Sequence, residues 1–218
     1  MIFVFVPYYD KWNDYFQNCL DNQTAEFILM KYNTKDTGGY WSNACNYFLK
    51  QIKTYRGLTY DDVICIMNND ITFSDDLMAE GNKIGENEIL IPDGSDIQID
   101  WKTKKMIKGD RIDTFPGRTF FMKAPDFINS GGFSKLLPHY LSDYDFGIRM
   151  IKKGMIVRTM NQPIHHVDHA KNYNPLCIRS VNNPLFWTIF LLKHGRNRYF
   201  FLNLLKVWAE LILKYRSK

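Results

Sequence analysis

Three groups of residues have the types and placement that chemistry requires. The first is Asn68, Asn69 and Asp70, which close the apolar run VICIM at 63–67. Buried strands read as near-continuous hydrophobics, and in α/β folds ligands bind at the carboxyl ends of such strands. A carboxylate there, next to two amides, could hold a divalent cation or a ribose. The plainer alternative is a polar turn in which Asp70 caps its own backbone. The second group is Asp143 with Asp145, at the expected start of a helix. Acids favour the positive end of a helix, which is the ordinary reading of Asp145. The same position could set one carboxylate at a pocket mouth as a general base. The third group is His165, His166, Asp168 and His169, which holds three of the chain's five histidines. Imidazole and carboxylate suit Mn or Mg shared with a diphosphate. The i, i+4 spacing of His165 and His169 also raises zinc, but that spacing needs a helix and Pro163 predicts a loop. A His-rich surface loop is the remaining option.

The elements that must position these groups follow from periodicity. Residues 2–6 (IFVFV) predict a strand stopped by Pro7, and residues 11–22 place Trp12, Tyr15, Phe16, Cys19 and Leu20 on one helical face. A short strand at 27–30 follows. Gly38 and Gly39 then mark a sharp turn before a helix with Trp41, Cys45, Phe48, Leu49 and Ile52 on one side. A glycine pair ahead of a helix could let backbone approach a phosphate, although neither GxGxxG nor GxxxxGK[ST] occurs. With the strand at 63, the order β-α-β-α-β predicts a mostly parallel sheet covered by helices. Ser74, Asp75 and Asp76 predict a helix start, with the helix running to about Ile84. A strand at 88–92 comes next. Residues 93–115 alternate at Ile97, Ile99 and Trp101 and read as an exposed antiparallel excursion. A strand at 120–122, a short helix or turn at 126–130 broken by Gly131 and Gly132, and a helix over 143–153 complete the series. The last strand, 155–160, runs into the loop NQPIHHVDHAKN.

Composition bounds the partners. Cys19, Cys45, Cys65 and Cys177 form no CxxC and no cluster; Cys45 and Cys65 fall inside apolar periodic segments and are expected as buried thiols, in a reducing, cytoplasmic setting. The opening MIFVFVPYYD is too short and lacks the basic segment of a signal peptide, and reads as the first strand. The net charge of +5 is concentrated: residues 193–218 carry seven Lys/Arg against Glu210 alone, leaving the rest about −1. A general nucleic-acid binder is the poorest fit. We expect a near-neutral main domain over 1–175 and a basic, aromatic helical tail over 176–218. The tail has two apolar runs split by KHGRNR, and neither reaches the roughly 20 residues that span a bilayer. The second run carries Phe200, Phe201, Leu204, Leu205, Trp208, Leu211 and Ile212, edged by Lys206, Lys214 and Arg216. Such a stripe could lie on an anionic membrane at its inner face, pair with a second copy as a homodimer, or pack on its own domain.

The order of these features resembles the GT-A glycosyltransferases, and within them the large inverting family called family 2. The resemblance rests on VPYY at 6–9; Asn33, Gly38 or Gly39, and Asn43 or Asn46; MNND at 67–70 in place of a DxD-like motif; GRTFFMK at 117–123 with GGF at 131–133; SDYDFGIR at 142–149; and IHH at 164–166. It covers about residues 2–169. It implies an α/β, Rossmann-like GT-A fold and a nucleoside-diphosphate sugar donor, UDP or dTDP ahead of GDP, with a glycan or glycolipid acceptor. Asp70 would hold Mn2+ or Mg2+ on the diphosphate. His165, or His166 because the register is open, would be a second contact. Asp143 resembles the general base and Asp145 the supporting acid of the motif. Pro7 and Tyr8 would line the nucleobase pocket, Asn33 or Asp36 would replace the usual base-contacting acid, and Gly39, Asn43 and Asn69 would complete the donor contacts. Lys31 is a further diphosphate or base contact, and Arg149 resembles the motif's closing, structural Arg. Asn68 departs from the first acid of DxD, Ser142 from the usual Glu, and one βα unit is missing. A nucleotidyltransferase would need a Gly-rich loop where PYYDKWND stands. A non-catalytic, degenerate GT-A domain that binds glycan or membrane is the other rival.

Overall fold

The protein is described by a computed structural model covering residues 1–36, 39–73, 76–167, 177, 180, 183–195 and 197–216, with backbone alone at 214–216. Gly38, Ser74, Asp75, Asp168, His169 and the expected 175/176 boundary lie outside the described residues, as do the side chains of Lys214 and Arg216.

The first third alternates as its periodicity predicts: β1 (Ile2–Tyr8), α1 (Asp14–Asp21), β2 (Phe27–Asn33), α2 (Trp41–Thr54) and β3 (Val63–Met67). β1 pairs in parallel with β2 on one side and with β3 on the other. Every residue of β3 is buried, which is why its sequence shows no alternation. β1 does not stop at Pro7. Its pairing with β3 covers only Ile2–Phe5, so Pro7 stands where β1 is paired through β2, a position that tolerates a missing N–H. α1 starts later than the apolar spacing suggests, because the Asn13 side chain caps it by accepting from the Tyr15 and Phe16 N–H groups. Trp12 is therefore left in the preceding loop.

The chain continues through β4 (Ile71–Thr72), α3 (Leu77–Gly81), β5 (Glu88–Asp93), β6 (Gln98–Asp100), β7 (Lys105–Ile107), β8 (Thr119–Lys123), α4 (Ala124–Asn129), α5 (Ser142–Lys152), β9 (Ile156–Pro163), β10 (His165–His166), α6 (Pro184–His194) and α7 (Phe200–Arg216). α3 is capped by Asp76, which accepts from the Ala79 N–H, and ends at Gly81, short of Ile84. The central sheet has the order β2-β1-β3-β8-β5-β9. It is parallel except for β8, which runs antiparallel between β3 and β5. β6 and β7 form the separate hairpin expected from the 93–115 stretch. The segment after the last core strand is not a loop: β9 runs on to Pro163, and β10 pairs antiparallel with β4.

Phenylalanines from both halves of the chain share one main core, among them Phe5, Phe48, Phe120 and Phe146. A second cluster joins Ile99, Leu137, Leu141 and Ile148 to Phe186, Trp187, Phe190 and Leu191 of α6 and Val207 of α7. α6 thus packs on the sheet domain. Cys45 and Cys65 are buried free thiols, and burial pushes both well above the ordinary thiol range.

Candidate functional site

Parallel strands deliver their carboxyl ends to one edge of a sheet, and a cavity opens there. It has a volume of about 760 Å³ and is lined by residues following β1 (Tyr9–Asn13), β2 (Thr34) and β3 (Asn68–Asp70), with Tyr40, Trp41 and His139 closing it. Small-molecule sites occupy roughly 300–1,000 Å³, and the space falls within that range. Its loops are tied to one another. The Thr34 N–H donates to the Tyr8 carbonyl at 2.8 Å, and Asn69 Nδ2 donates to the Lys11 carbonyl at 3.0 Å. Asp10 adopts a left-handed conformation, φ 69°, and pairs with Lys35 at 2.5 Å. Aspartate reaches that conformation more readily than most side chains.

Asp70 stands on the wall. The short β4–β10 pairing sets Ile71 opposite His166 and Thr72 opposite His165. Successive side chains of a strand point to opposite faces, so only one of the two histidines can turn towards Asp70. It is His166, whose Nε2 lies 3.1 Å from Asp70 Oδ2, while His165 is exposed. The other carboxylate oxygen, Asp70 Oδ1, is buried with no hydrogen-bond partner among the described residues. A buried carboxylate oxygen left unpaired is costly, and a cation would relieve it. The donor set thus fits a hard divalent ion in chemistry, though not in number: among the described residues no three His, Cys, Asp or Glu are grouped to hold a metal by themselves.

The antiparallel course of β8 brings a second group to this edge. The strand begins where β3 ends, and the Asn68 N–H donates to the Arg118 carbonyl at 2.8 Å. One residue earlier, the Gly117 N–H donates to Asp143 Oδ2 at 2.7 Å; the other oxygen, Oδ1, accepts from the Tyr144 N–H at 2.9 Å. Burial raises the Asp143 pKa above the ordinary 3.8, against the lowering effect of these amides. Asp143 is not on the cavity wall. It adjoins Gly117, where an added Cβ would lie 2.6 Å from the Trp41 ring and 2.9 Å from the Asp143 Cβ. Trp41 in turn donates its Nε1–H to Asn68 Oδ1 at 2.9 Å, so one indole spans from the cavity wall to the neighbourhood of Asp143.

Asp145, only two residues on, has a different setting. It is fully buried, and its carboxylate meets Arg149 Nε at 2.9 Å, His194 Nε2 at 2.8 Å and the Lys193 ammonium. Burial pushes its pKa up, but the His194 and Lys193 hydrogen bonds and the Arg149 charge outweigh that and hold it down at about 2. Arg149 also donates to the Gly132 carbonyl at 2.7 Å. Gly132 has φ +79°, and a Cβ there would lie 2.3 Å from Asn46 Oδ1, so the glycine is required twice over. The cluster fastens α5 to α6; it does not face the cavity.

Of the remaining donor-site candidates, Pro7, Tyr8, Gly39, Asn69 and Asp70 line the cavity, whereas Asn33, Asp36 and Asn43 do not. The Asn33 side chain accepts from the Lys35 N–H at 3.0 Å and shapes the turn; Asp36 is exposed, and Asn43 is on the outward side of α2. Lys31 lies over the Trp12 ring at 3.8 Å and bonds Gln17, outside the wall. Sequence reasoning missed Lys11, Trp12, Trp41 and His139. Trp12 and Trp41 read as core-facing helical residues, because periodicity does not mark where a helix begins. His139, a lone histidine in a loop, carried no signal.

No protein-family model matches the sequence, and no curated protein matches it significantly. Among solved structures, the fold is similar to the catalytic domain of Drosophila β1,4-galactosyltransferase 7, solved with xylobiose. The TM-score is 0.53 at 14% identity, over 82% of this chain and 79% of that one. Looser overlaps are found with A197 from STIV (TM-score 0.43, 11% identity, 76% and 84% covered) and the inositol-1-phosphate CTP transferase of T. maritima (0.39, 13%, 79% and 72%). Likeness to the first at so low an identity shows the fold alone: a mostly parallel sheet flanked by helices, of the GT-A-like kind.

Proposed function

We propose that the protein is an inverting glycosyltransferase. It would move a sugar from a nucleoside-diphosphate sugar, UDP or dTDP ahead of GDP, to a hydroxyl of a glycan or lipid-linked acceptor. The observation that carries this reading is the cavity at the carboxyl ends of β1, β2 and β3 with Asp70 on its wall and His166 behind it. The aromatic side chains of Tyr8, Trp12, Tyr40 and Trp41 line the cavity and would pack against a base or sugar, and Lys11 would offer charge to a diphosphate. Asp70 Oδ1, with His166 on the far oxygen, would hold Mn2+ or Mg2+, the diphosphate oxygens completing the shell. When bound, the ion would stabilise charge on the departing diphosphate.

Asp143 is the proposed base that takes the proton of the acceptor hydroxyl. Two backbone amides orient its carboxylate, and its raised pKa makes it a better proton acceptor than an exposed aspartate. Asp145 is a positioning residue that holds α5 in place through α6. One base and one ion suffice for direct displacement, unlike the carboxylate pair of glycoside hydrolysis. The fold shared with a galactosyltransferase domain agrees with this reading.

The test is a thermal-shift panel of UDP-, dTDP- and GDP-sugars with and without Mn2+. The reading expects stabilisation that needs the metal and is selective for one base; a panel without any such shift would refute it. A second reading, a non-catalytic GT-A-like module, is supported by Asn68 in place of an acid and by Asp143 standing off the wall. Metal-dependent donor binding without hydrolysis or transfer would favour it. Turnover that is lost in Asp143→Asn would favour the enzyme.

A further inference from the structure

α7 is packed along one side only. Asn203 and Val207 are buried against the domain, whereas Phe201, Leu205, Trp208 and Ile212 form an exposed row at helical spacing, with Phe201 76% and Leu205 69% exposed. The adjoining row is Leu202, Lys206, Ala209 and Leu213, all exposed except the half-buried Lys206. A continuous apolar face of this breadth is unusual on a domain surface and marks a contact.

The charges beside it identify the contact. The β6–β7 hairpin is fastened to the other edge of α7: Asn203 donates to the Trp101 carbonyl, Lys206 Nζ to the Lys102 carbonyl at 3.3 Å, and Lys104 pairs with Glu210 at 3.1 Å. That hairpin presents Lys102, Lys105 and Ile107 to solvent, and Lys108, directly after it, is exposed too. Glu210 is the single acid of α7, and Lys104 neutralises it. An apolar face edged by cations has two natural partners. A second copy would offer these lysines no opposite charge, because Glu210, the one acid of α7, is already held by Lys104. An anionic lipid surface would neutralise them while taking up the apolar row. Among the described residues no helix is long and apolar enough to cross a bilayer, so the helix would lie in the interface.

We infer that α7 with the 98–107 hairpin is a docking surface for an anionic membrane. Phe201, Leu205, Trp208 and Ile212 enter the acyl boundary, and Lys105, Lys108 and Lys206 lie against headgroup phosphates. The inference does not depend on the donor chemistry proposed above. Flotation of the full chain with vesicles tests it, using phosphatidylcholine alone and phosphatidylcholine with roughly a third phosphatidylserine. The chain should float with the anionic vesicles and stay behind with the neutral ones. Leu205→Glu with Trp208→Glu should abolish flotation at an unchanged melting temperature, since both side chains are exposed. Lys105→Gln with Lys108→Gln should weaken it on the order of twentyfold, about fivefold per lysine. The inference is overturned if the chain ignores both vesicles, or if neutral and anionic vesicles bind it equally. It is also overturned by a dimer that Leu205→Glu dissociates in the absence of any vesicle binding.

Discussion

Two aspartates two residues apart on α5 should behave in opposite ways, and Asp145 gives the sharper measurement. Asp145→Asn keeps the size of the side chain and removes the charge facing Arg149, Lys193 and His194. Breaking a buried ion pair by removing one partner costs about 3–5 kcal/mol. Arg149 and Lys193 are 26% and 29% exposed and can turn towards water, which moves the expectation to the low end, about 2–3 kcal/mol. The depressed pKa gives a second route. A fall from 3.8 to about 2 corresponds to about 2 kcal/mol. The sign follows from the direction: a carboxylate whose folded pKa is lowered stabilises the fold above its unfolded pKa. That contribution is lost as pH falls through the folded value. Denaturant unfolding at pH 7 should therefore show Asp145→Asn less stable by about 2–3 kcal/mol, with a melting temperature roughly 4–10 °C lower. The gap between wild type and variant should close between about pH 4 and pH 2. A variant that melts with the wild type at pH 7, or a gap that does not change with pH, would refute the assignment of Asp145 to the α5–α6 fastening.

Asp143→Asn should lower transfer roughly a hundred- to ten-thousandfold, and should also cost about 1–3 kcal/mol of stability, because the amide can accept from only one of the two backbone N–H groups. In the wild type, kcat/KM should fall on the acid side with a pKa above the ordinary 3.8, because burial raises it; an acid limb at the ordinary position would count against Asp143 as base. Gly117→Ala pushes a methyl to 2.6 Å from Trp41 and 2.9 Å from the Asp143 Cβ. Calorimetric unfolding should register about 1–3 kcal/mol of lost stability, together with weaker donor binding. Asp70→Asn should erase the Mn2+-dependent part of any nucleotide-induced thermal shift and leave the metal-free melting temperature nearly unchanged. Persistence of that part would remove Asp70 from the ion site.

Much of the scaffold is legible in the sequence because it is set locally. The unbroken apolar run of β3 marks a strand buried on both faces, and the alternation after residue 93 marks the β6–β7 hairpin. The wide stripe of α7 and its basic flank are equally plain. Caps are local too: Asn13 sets the start of α1 through two hydrogen bonds within three residues, although apolar spacing alone placed that start too early.

What only the tertiary structure decides is which elements become neighbours, and at the candidate site that is nearly everything. Two adjacent histidines are equivalent until a strand register sends one to each face. The β4–β10 pairing, which joins segments about a hundred residues apart, turns His166 to Asp70 and leaves His165 in solvent. The reversed course of β8 brings Gly117 and Asp143 to the end of β3, while α6 draws Asp145 into an ion cluster away from the cavity. Side-chain periodicity reports which face of an element is apolar. It carries no information about the partner that will cover that face, because pairing is settled by long-range contacts that form only when the whole sheet assembles.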